Sequence, residues 1–119
     1  MNKNETGRLG EDAVCSYLKE NGYVIVKRNY RIRGGEIDII AEKDGYIAFV
    51  EVKTRNIGGI SSGFDAIDTR KIKAVIRTAE NYLNKYPSQS QPRFDAAQVT
   101  VSGGDVADIE YIINAFDII

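Results

Sequence analysis

Residues 35–55 read GEIDIIAEKDGYIAFVEVKTR, with Asp44-Gly45 between two runs rich in Ile, Val, Ala and Phe. Asp-Gly in that setting is a strong short-range signal for a β-hairpin, because the favoured two-residue turn needs positive φ at both positions. The turn pairs Lys43 with Tyr46. Counting outward sets Ile40 against Phe49, Asp38 against Glu51 and Glu36 against Lys53, and a four-residue loop gives the same register. Alternation then places Ile37, Ile39 and Ala41 with Val52, Val50 and Ala48 on one apolar face, the expected core. The other face is apolar near the turn, through Ile40, Ile47 and Phe49. At its far end Glu36, Asp38, Glu51 and Lys53 converge.

Directly opposed side chains in a sheet stand about 4.5–5.5 Å apart at Cβ, and like charges there destabilise it. Asp38 and Glu51 therefore need a shared proton, the nearby Lys53 or a divalent cation. Hard cations such as Mg²⁺ bind one or two carboxylates, with waters and substrate phosphates completing the shell, and Asp38 and Glu51 suit that description. Lys53 would then orient or deprotonate a water, or hold negative charge as it develops. The same pattern also describes the solvated end of a half-polar strand, with surface ion pairs of little energetic weight. Register and pattern leave both readings open.

The rest of the chain narrows the chemistry. At 119 residues, 43% apolar and 28% charged, it has the size and balance of one globular domain spanning 1–119. A net charge of −1 excludes a uniformly basic nucleic-acid-binding surface, so any such contact must be local. The absence of histidine removes the commonest general base and transition-metal ligand. The single cysteine, Cys15, excludes a disulfide framework and a zinc cluster, and fits a reducing cytoplasm. The polar start MNKNETGRLG lacks the apolar core of a signal peptide, and no apolar run reaches membrane-spanning length. A cytoplasmic location without a membrane partner is expected.

Periodicity supplies the remaining elements. Leu9, Ala13, Val14, Tyr17 and Leu18 recur at helical spacing between Asn4 and Asn21, with Gly22 placed as C-cap. Glu11 borders that apolar stripe, as a charge turned partly inward or a rim residue with its head in water. Residues 23–32, YVIVKRNYRI, read as a strand, and NIGGISSGF (56–64) as a loop. Ile72, Val75, Ile76, Ala79, Tyr82, Leu83 and Tyr86 predict a helix over 68–86, stopped by Pro87. SQSQP (88–92) reads as a linker, followed by strands RFDAAQVTV and DIEYIINAF around Gly103-Gly104. The order αβββαββ predicts an α/β fold, a mixed β-sheet flanked by helices.

These residues carry a resemblance. GEIDIIA followed by FVEVKTR resembles the signature of the YraN-like family of small bacterial proteins, a branch of the restriction-endonuclease-like, PD-(D/E)XK superfamily. The resemblance extends to GRLGEDAVCSYLKENGY, TRKIKAVIRTAENYL and RFDAAQV, nearly the whole chain. It implies a restriction-endonuclease-like core, with Asp38, Glu51 and Lys53 matching the metal-and-lysine triad. It implies Val52 as a backbone-carbonyl metal ligand. Glu11 matches the additional glutamate of the branch similar to archaeal Holliday-junction resolvases.

The function so implied is Mg²⁺- or Mn²⁺-dependent hydrolysis of DNA phosphodiester bonds, on branched or otherwise structured DNA. Lys27, Arg28, Arg31 and Arg33 lead into the acidic cluster and Arg55 follows it, forming a candidate phosphate-binding rim. Lys71, within the basic segment Arg70, Lys71, Lys73 and Arg77, matches a lysine of the family pattern; a solvated helix face explains the segment equally. Tyr23, Tyr30 and Tyr46 fit core or rim positions better than base-stacking ones. Arg93 and Asp95 fit a structural pair and stand outside the candidate catalytic set. The alternatives are a non-catalytic module that binds nucleic acid or a protein partner, and a scaffold whose cluster is ion-paired surface. A homodimer would suit a junction substrate. No P-loop, Rossmann glycine pattern or Ser/His arrangement offers another enzyme class.

Overall fold

In the computed structural model, which describes residues 2–57 and 69–116, Asp44 and Gly45 take φ of 51° and 81°. They join β2 (Gly35–Lys43) to β3 (Tyr46–Asn56). Lys43 pairs with Tyr46 and Ile40 with Phe49, the register read from the sequence. Before the hairpin come α1 (Lys3–Glu20) and β1 (Val24–Ile32); after it come α2 (Thr69–Lys85), β4 (Gln91–Ser102) and β5 (Asp105–Ile112). The strands stand in the order β1-β2-β3-β4-β5. β3 and β4 are parallel and the other neighbours antiparallel, and α2 is the crossover that the parallel pair requires. The mixed sheet and αβββαββ order agree with a restriction-endonuclease-like core.

Local chemistry sets the helix ends. Asn2 caps α1, its side chain accepting from the Glu5 amide at 2.8 Å. At the other end Gly22 takes φ 87°, its N–H donating to the Lys19 carbonyl and that of Tyr23 to Leu18, a Schellman closure. The helices cover opposite faces of the sheet. Val14, Cys15 and Leu18 of α1 pack on Ile39, Ala41, Ala48, Val50, Ala97 and Val99. Val75, Ala79 and Tyr82 of α2 pack on Ile37, Ile40, Ile47, Phe49 and Phe94. Each helix reaches the sheet over a glycine. A Cβ on Gly10 would lie 1.9 Å from Thr54 Oγ1, and one on Gly35 2.0 Å from Thr78 Oγ1. Among the described residues, no helix is long and apolar enough to cross a membrane.

Several boundaries differ from expectation. Gln91 and Pro92 belong to β4 rather than to a linker, because the Gln91 N–H finds the Gly45 carbonyl at 2.8 Å and begins pairing early. β5 ends at Ile112, leaving Ile113–Phe116 outside it. Tyr86 lies past the end of α2 and is exposed, its ring 5.0 Å from that of Tyr82. Of the expected loop 56–64, Asn56 is the last residue of β3; residues 58–64, like the expected helix start at Asp68, lie outside the described residues.

The expected faces need a larger correction. Ile37 packs against α2 while Ile39, two residues on, packs against α1; in a regular strand they would share a face. β1 turns over at the same level. Arg28 reaches α1 at Glu11 and Asp12, whereas Tyr30 reaches Asn81 of α2. Between them Asn29 takes φ 54°, a left-handed conformation that asparagine tolerates better than most residues. The regular pairs Arg28–Ile39 and Tyr30–Ile37 bracket Asn29 and Asp38.

Candidate active site

Asp38 sits where the hairpin forks. The β2–β3 ladder holds through Ile39–Val50 and stops there, so the expected Asp38–Glu51 and Glu36–Lys53 rungs do not form. β3 instead continues in parallel with β4 as far as Asn56–Val101, while β2 stays with β1 as far as Gly35–Ile32. The cause is a substitution of acceptors. The Val52 N–H donates to Asp38 Oδ2 at 2.7 Å, placing a side-chain carboxylate where a continued ladder would use a backbone carbonyl.

The fork sets the other sequence-predicted groups around Asp38. On the α1 side, Glu11 Oε1 accepts from Arg28 Nη2 at 2.9 Å, Arg28 Nε at 3.1 Å and Asn29 Nδ2 at 2.9 Å. On the α2 side, Glu51 Oε1 is 3.1 Å from Lys71 Nζ, with the Glu51 side chain 11% exposed. Lys53, two residues along, is exposed, and its charge favours ionised Glu51. A cavity of about 530 Å³ opens between α1 and the fork, with Glu11, Asp38, Val52 and Arg55 in its wall. A second, of about 400 Å³, lies beside α2 and includes Lys71. Arg31 and Glu36, ion-paired at 3.1 Å, line both.

The electrostatics are those of crowded carboxylates. Burial, then the charge of Glu51, pushes the Asp38 carboxyl up to about 7 against the opposing Val52 hydrogen bond; Glu11 and Glu36 add to the rise. Glu51 is also raised, by burial first, with Lys71 opposing and Glu36 adding. Burial lowers the Lys71 ammonium, but the Glu51 charge and hydrogen bond outweigh it and hold its pKa up. Such an environment favours a bound cation, which would remove the repulsion. Among the described residues no group of three or more carboxylates closes into a metal-holding cluster.

The span holding these groups also carries the family signature: residues 10–99 match the model described as uncharacterised protein family UPF0102. The chain belongs to the UPF0102 family. A UPF0102 protein of Dictyoglomus thermophilum is 40% identical over 118 residues, covering 98% of this chain and 100% of the relative. A UPF0102 protein of Persephonella marina is 41% identical over 113 residues, covering 94% and 93%. Another, from Lachnoclostridium phytofermentans, is 41% identical over 121 residues, covering 98% and 97%. Glu11, Asp38, Glu51, Val52 and Lys53 all fall inside the span matched by the UPF0102 model.

The cations of this UPF0102 chain are distributed unevenly about the fork. Arg28 is bound to Glu11 and Asp12, Arg31 to Glu36 and Lys71 to Glu51. Arg33 is exposed at the β1–β2 turn, and Arg55 lines the larger cavity. Tyr30 is core, Tyr23 accepts from Arg93 Nη2 at 2.6 Å, and Tyr46 lies under the Arg93 guanidinium. Arg93 and Asp95 form the structural pair: Asp95 is fully buried and accepts from Arg93, the Tyr111 hydroxyl and the Asn114 amide. Two contributors escaped the sequence reading. Asn29 orients Glu11 and turns β1 over; its signal was an asparagine inside a strand pattern. Asp12, which stands outside the apolar stripe of α1, accepts from Arg28 Nη2 at 2.7 Å, a contact with no local signature.

Proposed function

We propose that this UPF0102 protein is a divalent-metal-dependent nuclease hydrolysing DNA phosphodiester bonds in the cytoplasm, with structured or branched DNA as substrate and a homodimer as the form suited to a junction. The reading rests on Asp38, a part-buried carboxylate set at a hairpin fork with Glu51 toward one helix and Glu11 toward the other. Its donor set fits Mg²⁺ or Mn²⁺: two oxygen-donor carboxylates, Asp38 and Glu51, whose charges oppose one another, with the Val52 carbonyl as a third oxygen. When bound, the cation would neutralise that repulsion and polarise a phosphoryl oxygen.

The chain's own groups supply the rest. Lys53 orients the attacking water or holds developing charge. Glu11, itself oriented by Arg28 and Asn29, organises water at the α1 side of the site. Arg28, Arg31, Arg33, Arg55 and Lys71 place phosphates, and binding through them weakens as salt rises.

One observation favours a second reading, a non-catalytic module that binds nucleic acid or a protein partner. Glu11, Asp38 and Glu51 each already have a partner within the chain. Cleavage of labelled single-stranded, duplex, flapped and four-way-junction DNA with Mg²⁺ or Mn²⁺ separates the two, run for wild type beside Lys53→Ala and Asp38→Asn. The nuclease reading expects metal-dependent cutting that both substitutions abolish. Binding without cutting on every substrate would leave the module.

A further inference from the structure

We infer that the cavity on the α1 side of Asp38 is a cradle for the sugar–phosphate backbone of one DNA strand, and that the bare backbone at Gly7 is the surface against which this strand lies. The inference rests on the nuclease reading for its ligand and adds how that ligand is held. It begins with glycines. Glycine in a helix interior is destabilising relative to alanine, so its presence there calls for a local reason. Among the described residues, Gly22, Gly34, Gly45, Gly103 and Gly104 have positive φ. Gly10 and Gly35 let the helices approach Thr54 and Thr78. Gly7 has neither reason: its φ is not positive, and a Cβ there would meet nothing within 4 Å. The space it leaves is the cavity itself, whose wall includes Gly7 together with Asp38.

The wall tells what would fill that space. Lys3, Arg55 and Arg31, the last paired with Glu36, supply cations, and Asn29, Thr54 and Asn56 supply neutral hydrogen-bonding groups. Its volume, about 530 Å³, falls within the roughly 300–1,000 Å³ of ordinary ligand clefts. Single-strand binders that stack bases use aromatic platforms, whereas none of the described residues lining this cavity is aromatic. The cations, amides and hydroxyls of such a wall read phosphate and sugar and carry little sequence information, while its carboxylates, Glu11, Glu36 and Asp38, are the charges that the divalent cation of the proposed function would offset for a phosphate to enter. The close approach at Gly7 brings the strand past Glu11 to Asp38.

The test is fluorescence anisotropy of a labelled single-stranded oligonucleotide, of mixed sequence and as a homopolymer, in Ca²⁺, for wild type, Gly7→Ala and Gly7→Leu. Wild type is expected to bind both sequences within about threefold of each other, and Gly7→Ala to bind about tenfold more weakly. Gly7→Leu should bind more weakly still. Gly7→Ala should also melt about 2–5 °C higher, as an alanine with open space in a helix should. Gain in stability with loss of binding is a combination that a merely structural glycine would not give. Should Gly7→Leu fail to fold, Gly7→Ala decides alone. Wild-type affinity in a folded Gly7→Ala overturns the cradle, as does a wild-type chain that binds no strand. Gly7-dependent binding with no cutting under any metal would remove the nuclease and keep the cradle.

Discussion

The Val52 amide donates to Asp38 Oδ2 at 2.7 Å, immediately past Ile39–Val50, the last rung of the β2–β3 ladder. The carboxylate that ends the hairpin is also one that burial first, and then the charge of Glu51, pushes toward its protonated form.

Asp38→Asn should therefore stabilise the metal-free protein at pH 8. Folding raises the Asp38 pKa from an ordinary 3.8 to about 7. The folded state then binds more protons than the unfolded one between those values, and stability falls as pH rises through the window, levelling off above about 7. At 1.36 kcal/mol per pH unit the gain is bounded at about 4 kcal/mol, and solvent screening brings it nearer 1–2 kcal/mol. Asparagine keeps an oxygen for the Val52 amide. Urea midpoints from pH 4 to 8 should show the two proteins converging at the acid end; a variant less stable at pH 8 contradicts the electrostatic account.

Lys71→Met should leave Glu51 without its ion-pair partner, with the exposed Lys53 as a remaining favourable charge. Lys71 is half exposed, so the loss is modest, about 1 kcal/mol at pH 8 and less at pH 4, where Glu51 takes up a proton. If a divalent cation and Lys71 compete for one carboxylate, Mn²⁺ should raise the melting temperature of the variant more than that of wild type. Equal shifts would place the cation away from Glu51.

Asp95→Ala should cost about 3–5 kcal/mol, because it strips a buried guanidinium of its partner and leaves the Tyr111 hydroxyl and Asn114 amide unsatisfied. Tyr111→Phe should cost about 1–2 kcal/mol. Equilibrium denaturation checks both, and a near-neutral Asp95→Ala would argue against a structural role for the network.

Gly10→Ala, three residues from Gly7, should behave in the opposite way. Its methyl meets Thr54 Oγ1, and the displacement of α1 from β3 should cost about 1–3 kcal/mol. Adding Thr54→Ala removes Oγ1 and Cγ2 and leaves only the Cβ close, at 2.9 Å, so the double variant should recover part of that loss. Strict additivity would mean that the helix and strand do not meet there.

Much of this was legible in the sequence. Asp44-Gly45 fixed the hairpin register, and the stripe from Ile72 to Leu83 marked α2, because both signals are local and periodic. The fork was not, since alternation assumes an uninterrupted strand, and nothing in GEIDIIA announces that Asp38 will take an amide from β3. Its counterpart, Asn29, was the one hint of irregular backbone. The pairing of Lys71 with Glu51 depends on where α2 docks, which no window of sequence contains. The hairpin's charged residues were legible as lying at its open end, while their division between two helix-covered sides came only with the tertiary structure.

The fork also orders assembly in time. Before it, β3 pairs with β2 across a two-residue turn, a local contact that closes quickly. Past Val50 the backbone partners of β3 lie on β4, Glu51 beside Ala96 and Lys53 beside Gln98, and that pairing requires the whole crossover through α2 to close first. A nascent or partly unfolded chain therefore presents a finished hairpin with an unfinished site. The amides of Lys53 and Arg55 should exchange with solvent on the schedule of β4 rather than of the turn, and the candidate chemistry arrives only after the hairpin, with the crossover.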